Sequence, residues 1–172
     1  MMIAKRENDL VLFTFSGLER KVLERIILSL LENYKLSPEQ IDRQAAAVWY
    51  STRGCEKARM SSDETADWLK QLHGVRLGRV ELLQKCLTQL ARRSHGPFTL
   101  GIPVQNAEAL MTALNDHRLL LAAHHDIGEP EMALRSFAAV SKLPPSQQAA
   151  LCEIEFLAYI IDELLQLLQG SE

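Results

Sequence analysis

Apolar and polar positions along this chain change period several times, and each change marks an element. Leu10 to Phe15 reads Leu-Val-Leu-Phe-Thr-Phe, rich in β-formers and preceded by the turn-like Glu-Asn-Asp, with Met2 to Arg6 able to pair back on it. An N-terminal hairpin over residues 1–15 is predicted. Ser16 stands three residues before Glu19, the spacing of a capping box, and opens a helix in which Leu18, Val22, Leu23, Ile26, Ile27, Leu30, Leu31 and Tyr34 recur every three or four residues. Ser37-Pro38 repeats the start signal for a second helix to about Tyr50. Residues 51–62 are polar, contain Gly54 and lack periodicity, which predicts a mobile loop or interaction segment.

A third helical stretch starts near Asp63, carries Trp68, Leu69 and Leu72, breaks or bends at Gly74 and Gly78, and resumes through Val80, Leu83, Leu87 and Leu90. His95-Gly96-Pro97 stops it. Residues 98–104 are extended by composition but interrupted by Gly101 and Pro103, a strand or crossing loop that can lie beside the hairpin. Asn106 caps a helix to about His125, ended by Gly128; Pro130 opens another to about Lys142; the last runs from Pro145 to Leu168. On a helical wheel the apolar positions of this last helix span roughly 220°, more than an ordinary surface helix shows, so it is central or meets a second subunit. The fold class that follows is mainly α: one domain over residues 1–172, a bundle of about six helices with a short N-terminal hairpin and a possible strand at 98–104, residues 106–172 forming the C-terminal helices.

Length and composition suit a packed core, with 172 residues and 47% hydrophobic. The net charge of −3 conceals a basic middle, nine bases against five acids in residues 51–95, and an acidic end, three against ten in 96–172. Such a split fits two attracting faces of one fold better than a nucleic-acid footprint. No apolar run approaches the roughly 18 residues that span a bilayer, so no membrane partner is expected. Cys55, Cys86 and Cys152 make an odd count with no close pair, which points to a reducing, cytoplasmic location. Cys55 sits in a loop beside Arg53 and Lys57; Cys86 and Cys152 read as core.

His117, His124 and His125 share one helix with Asp116 and Asp126 beside them. Joint ligation from a helix favours i,i+4 spacing, whereas His117 and His124 are about 10.5 Å apart along the axis and fall in the apolar arc of Leu110, Ala113, Leu114, Leu120 and Leu121. They read as hydrogen-bonded histidines at the edge of the core. Ala123-His124-His125-Asp126-Ile127-Gly128 resembles the His-Asp signature of the HD-domain metal-dependent phosphohydrolases, an all-helical family. That resemblance implies a metal held by His125 and Asp126, with His95 and Asp162 as outer ligands, activating water; Glu129 stands where the family commonly has Lys.

A second resemblance covers more of the chain. Ala113 to Leu121, Ala-Leu-Asn-Asp-His-Arg-Leu-Leu-Leu, is similar to the A-L-N-D-x-R-L-x-L segment of an uncharacterised bacterial domain-of-unknown-function family, best known from actinobacteria. That family similarly opens with a short β segment leading into a Leu-rich helix and closes with an amphipathic helix. It implies no activity. Physically, Asn115 and Asp116 in mid-helix work against helix propensity, so a compensating contact is expected. Arg118 is a natural partner, and Asp116 or Arg118 is expected to tie this helix to a neighbour, through Asp162 or Glu163 on the last helix. With no phosphate loop, nucleophile elbow or zinc tetrad, the expectation is a non-enzymatic regulatory or adaptor protein that binds a protein partner or a second copy, through the last helix or residues 51–62, with no cofactor. The alternative is the metal-dependent phosphohydrolase.

Overall fold

The computed structural model describes residues 2–92, 98–134 and 136–169. Strands β1 (Ile3–Glu7) and β2 (Leu10–Phe15) pair antiparallel across Asn8, which takes a φ of 52° that asparagine tolerates better than most residues. β3 (Phe98–Pro103) pairs antiparallel with the other side of β2, giving the order β1-β2-β3 among the described residues. Alternation turns Val11, Phe13, Phe15, Leu100 and Ile102 into the core. The backbone of Gly101 is capped by the Gln89 side chain, whose Nε2 donates to Gly101 O (3.1 Å) while its Oε1 accepts from Gly101 N (2.9 Å). A strand edge is thereby closed to other chains at that point.

Helix α1 (Gly17–Tyr34) begins at the expected capping box: Ser16 Oγ accepts from Glu19 N and Glu19 Oε2 accepts from Ser16 N at 2.8 Å. Glu19 Oε1 also accepts from Met2 N, tying the start of β1 to the helix. α2 is Arg43–Trp49, shorter than the span expected from Ser37-Pro38. The hydroxyl of Ser37 donates to Glu39, and Asp42 does the capping instead, accepting from Gln44 N and Ala45 N. Residues 51–62 are likewise not one loop. They contain α3 (Arg53–Lys57), which buries Cys55, and a left-handed Arg59 (φ 53°) that turns the chain into Ser61. So short a helix has too few apolar residues to show a period.

Ser61 and Glu64 form a second capping box at the start of α4 (Ser62–Leu77), which runs through Gly74 and ends at Gly78; α5 (Val80–Ala91) follows at once. α6 is Ala107–His124, entered by a turn of 3-10 helix at Val104–Asn106, and Asn106 makes no side-chain cap. The single helix expected from Pro130 is two short ones, α7 (Glu129–Met132) and α8 (Phe137–Val140), because Ser136 Oγ accepts from Ala139 N and starts a new turn. α9 (Pro145–Gln169) closes the fold as a 25-residue helix running alongside α6.

Most of the broad apolar face of α9 is covered inside the monomer, while Leu165 and Tyr159 stay exposed. Leu151, Ile154, Leu157, Ile160 and Leu164 are buried, and Phe156, Ile161, Leu167 and Leu168 pack against the main core. α4 is the contrast: among its described residues Arg76 is the one that is buried.

Candidate functional site

α6 carries Asp116 into the interior, and its carboxylate collects donors from three other elements. Tyr34 Oη at the end of α1 donates to Oδ2 at 2.7 Å, Arg76 Nη2 of α4 donates to Oδ1 at 3.3 Å, and Arg79 Nη1, just before α5, donates to Oδ2 at 3.2 Å. Trp49 of α2 donates through Nε1 to the backbone oxygen of Asp116 at 2.9 Å. The carboxylate and both guanidinium groups are nearly withdrawn from water, with side-chain exposures of 8% for Asp116, 9% for Arg76 and 15% for Arg79. Two cations therefore share one anion in a low-dielectric setting, where breaking a pair is costly.

Aromatic rings surround the arginine that reaches furthest in. The Arg76 guanidinium lies 5.2 Å from the Trp49 ring centroid and 5.0 Å from that of Tyr50, within cation-π range. Its Nη1 also donates to Leu72 O, while its Nε has no hydrogen-bond partner among the described residues. Tyr50 Oη pairs with His73 Nδ1 at 3.2 Å. Burial pushes the Tyr34 hydroxyl far above its ordinary range, and the negative charge of Asp116 adds to this, so Tyr34 stays a donor.

A second ionic cluster ties α6 to α9 and α1. His117 Nε2 meets Glu153 Oε1 at 2.8 Å, and Arg25 donates to Glu153 Oε2. Burial acts to raise the Glu153 carboxyl, but the hydrogen bond and charge of His117, with Arg25, outweigh it and hold the group below its ordinary value. His124 reaches Asp42 at 3.1 Å, linking the end of α6 to the cap of α2. Beside Arg25 and Glu153 runs an apolar groove of about 240 Å³ between α1 and α9, lined by Leu18, Val22, Phe156 and Cys152. Cys152 is exposed, not core, because it points to this groove rather than toward α6. Cys55, expected in a loop, is buried.

The residues singled out from the sequence land in different places. Asp116 ties α6 to α1, α4 and the start of α5, not to Asp162 or Glu163. Asp162 is exposed and accepts from Gln166 at 2.7 Å on its own helix. Arg118 reaches back to Asn115 at 3.5 Å, the outer limit for a hydrogen bond, within α6. His125 and Asp126 terminate α6: Asp126 is left-handed (φ 51°), Ile127 N donates to Ala122 O, and Gln147 Nε2 donates to the carbonyls of His125 and Asp126. That contact fixes the start of α9 beside them, and Asp162 lies fifteen residues further along, about 22 Å at 1.5 Å per residue. Asp162 and the His125-Asp126 pair thus do not share a ligand shell, since metal bonds are about 2 Å long. His95 lies outside the described residues. Among the described residues no three His, Cys, Asp or Glu side chains stand close enough to hold a metal ion.

Arg76, Arg79, Tyr34, Trp49, Arg25 and Glu153 were not singled out by sequence reasoning. Arg76 left one readable signal. It stands seven residues after Leu69 and four after Leu72, on the inward stripe of α4, where an arginine needs an anion.

The family described as Domain of unknown function (DUF2017) matches residues 75–168, a span that contains the Ala113–Leu121 segment and, among the described residues, both ionic partners of Asp116. No curated protein and no solved structure matches the chain. Because the match covers more than half of its length, the chain belongs to the family Domain of unknown function (DUF2017).

Proposed function

We propose that this chain is a non-enzymatic regulatory or adaptor protein that acts by binding another protein, and that α4 is its docking surface. One observation carries the reading: α4 leaves Trp68 42%, Val75 55% and Leu77 44% exposed while committing little to the core. Trp68 and Val75 stand seven residues apart, two turns along one exposed face, the i and i+7 anchors with which an amphipathic helix enters an apolar groove. Tryptophan is the residue type most enriched where binding energy concentrates. Most apolar side chains of α9 are buried or packed on the core, and residues 51–62 are polar and contain α3. Free thiols at Cys55, Cys86 and Cys152 support a reducing, cytoplasmic setting, and among the described residues no helix is long and apolar enough to cross a membrane.

The test places a photo-crosslinking residue at position 68 and, as control, at Lys85 on the outer face of α5. Crosslinks from position 68 to one defined protein or to a second copy, lost in Val75→Asp and absent at position 85, support the reading. Equal crosslinking from both positions, or binding that survives Trp68→Asp and Val75→Asp in a folded chain, overturns it. Val75→Asp, at an exposed position, is expected to shift stability by less than about 0.5 kcal/mol, and circular dichroism checks that Trp68→Asp, at a half-covered ring, stays folded before binding is read.

A further inference from the structure

The two arginines that grip Asp116 stand on either side of Gly78, where α4 ends and α5 begins. Regular helical hydrogen bonding is interrupted there: Gly78 N reaches Gly74 O, but Arg79 N reaches Arg76 O, a tighter turn. The segments on the two sides are held very differently. α5 buries Leu83, Cys86 and Leu90, whereas α4 offers Leu69 and Leu72 half-buried and anchors itself through Arg76. At the far end, α4 is entered through Arg59 in a left-handed conformation that costs a non-glycine residue free energy in the closed form.

We propose that α4 is an arm that opens locally about the joint at Gly78, and that Asp116 is the clasp that holds it shut. Oδ1 takes Arg76 from the arm and Oδ2 takes Arg79 from the fixed side, so one carboxylate bridges the joint. Without its charge the two guanidinium groups, three residues apart on one face, repel each other with nothing to offset their burial. Opening returns Arg76 to water and removes it from between Trp49 and Tyr50, while the core of α1, α5, α6 and α9 keeps its buried side chains. Segments with few buried apolar contacts are those that open below the free energy of global unfolding. This device is a property of the helix itself and stands whether or not α4 docks a partner.

Native-state hydrogen exchange of the full chain, read by mass spectrometry through sub-denaturing guanidinium, tests it. Amides of residues 62–74 are expected to exchange at least about 10-fold faster than those of 23–31 and 83–90, with a shallower dependence on denaturant because opening exposes less surface than global unfolding. Asp116→Asn is expected to speed exchange in 62–74 by a further factor of about 10 or more relative to the core. Arg76→Gln, which takes the arm's own charge off Asp116 and leaves the Arg79 pair in place, is expected to accelerate the same segment and serves if the first variant does not fold. Exchange of 62–74 on the same denaturant-dependent curve as 23–31 overturns the arm. Rapid exchange that neither variant accelerates overturns the clasp.

Discussion

Replacing Asp116 by Asn keeps the shape of the side chain and an oxygen for Tyr34, removes the charge that two arginines share, and turns the other carboxylate oxygen into an NH2 that can no longer accept from Arg76. The size of the loss follows from how dry the site is. Exposed ion pairs contribute about 0–1 kcal/mol, whereas removing one partner of a buried pair costs about 3–5 kcal/mol because the surviving charge is stranded. With exposures of 8% for Asp116 and 9% for Arg76, this site belongs to the second class. Arg79, at 15%, can turn toward water and recover part of the loss, which places the expected cost near the lower bound, about 3 kcal/mol. At about 2–4 °C per kcal/mol for a domain of this size, Tm should fall by about 6–12 °C. Urea unfolding followed by far-UV circular dichroism measures it. A cycle with Arg79→Met tests the assignment, since a shared interaction makes the double variant less costly than the two singles added together. A loss below about 1 kcal/mol, or strict additivity, refutes the reasoning.

Glu153 makes stability pH-dependent on the acid side: its folded carboxyl lies below its value of 4.5 in the unfolded chain, so its contribution is complete above that pH and disappears as pH falls through the folded value. Unfolding free energies of the parent chain and Glu153→Gln should therefore differ most near pH 6 and converge in acid; a gap that stays constant to pH 3 contradicts the His117-Glu153-Arg25 cluster. Of the three thiols, Cys152 should react at once with a disulfide reagent such as DTNB, while Cys55, buried, and Cys86, whose thiol burial pushes up to about 11, should react after unfolding. Fast modification of Cys86 in the native chain contradicts its packing. Gly74→Ala meets nothing within 4 Å of the added Cβ and should stabilise α4 by about 0.5–1 kcal/mol, visible as slower exchange in residues 62–74.

Where periodicity is long, the sequence speaks plainly: α1 with its Ser16-Glu19 box and α9 with its apolar arc stand where the pattern puts them, and the 98–104 segment is a strand beside the hairpin. What fails is local and has local causes. Ser37, a good cap by type, spends its hydroxyl on Glu39, so α2 waits for Asp42. The buried site was half-legible. Asp116 in mid-helix announces a need for partners, but the sequence reading looks for them through Asp162 or Glu163 on the last helix, and only tertiary structure shows Arg76 and Arg79 there instead. Tyr34 and Trp49 are ordinary members of apolar stripes in the sequence. Nothing in a one-dimensional pattern marks a hydroxyl aimed at a carboxylate 82 residues away, or an indole N–H aimed at a backbone carbonyl 67 residues away.

The division of labour within the node also shows how the family's segment is completed in this chain. Residues 75–168 supply the charges, Arg76, Arg79 and Asp116, together with the His117-Glu153 pair. The groups that make those charges tolerable in the interior come from earlier in the chain: Tyr34 gives Asp116 its shortest hydrogen bond, Trp49 and Tyr50 face the Arg76 guanidinium, and Arg25 completes Glu153. β3 likewise lies within the matched span and pairs with β2 outside it. A buried cation pair around one carboxylate is a net cost unless its remaining donors and ring faces are satisfied. The N-terminal hairpin, α1 and α2 are therefore joined to the matched segment by strand pairing and by the buried polar contacts of Asp116, and α4 is held to the same contacts through the clasp at Asp116.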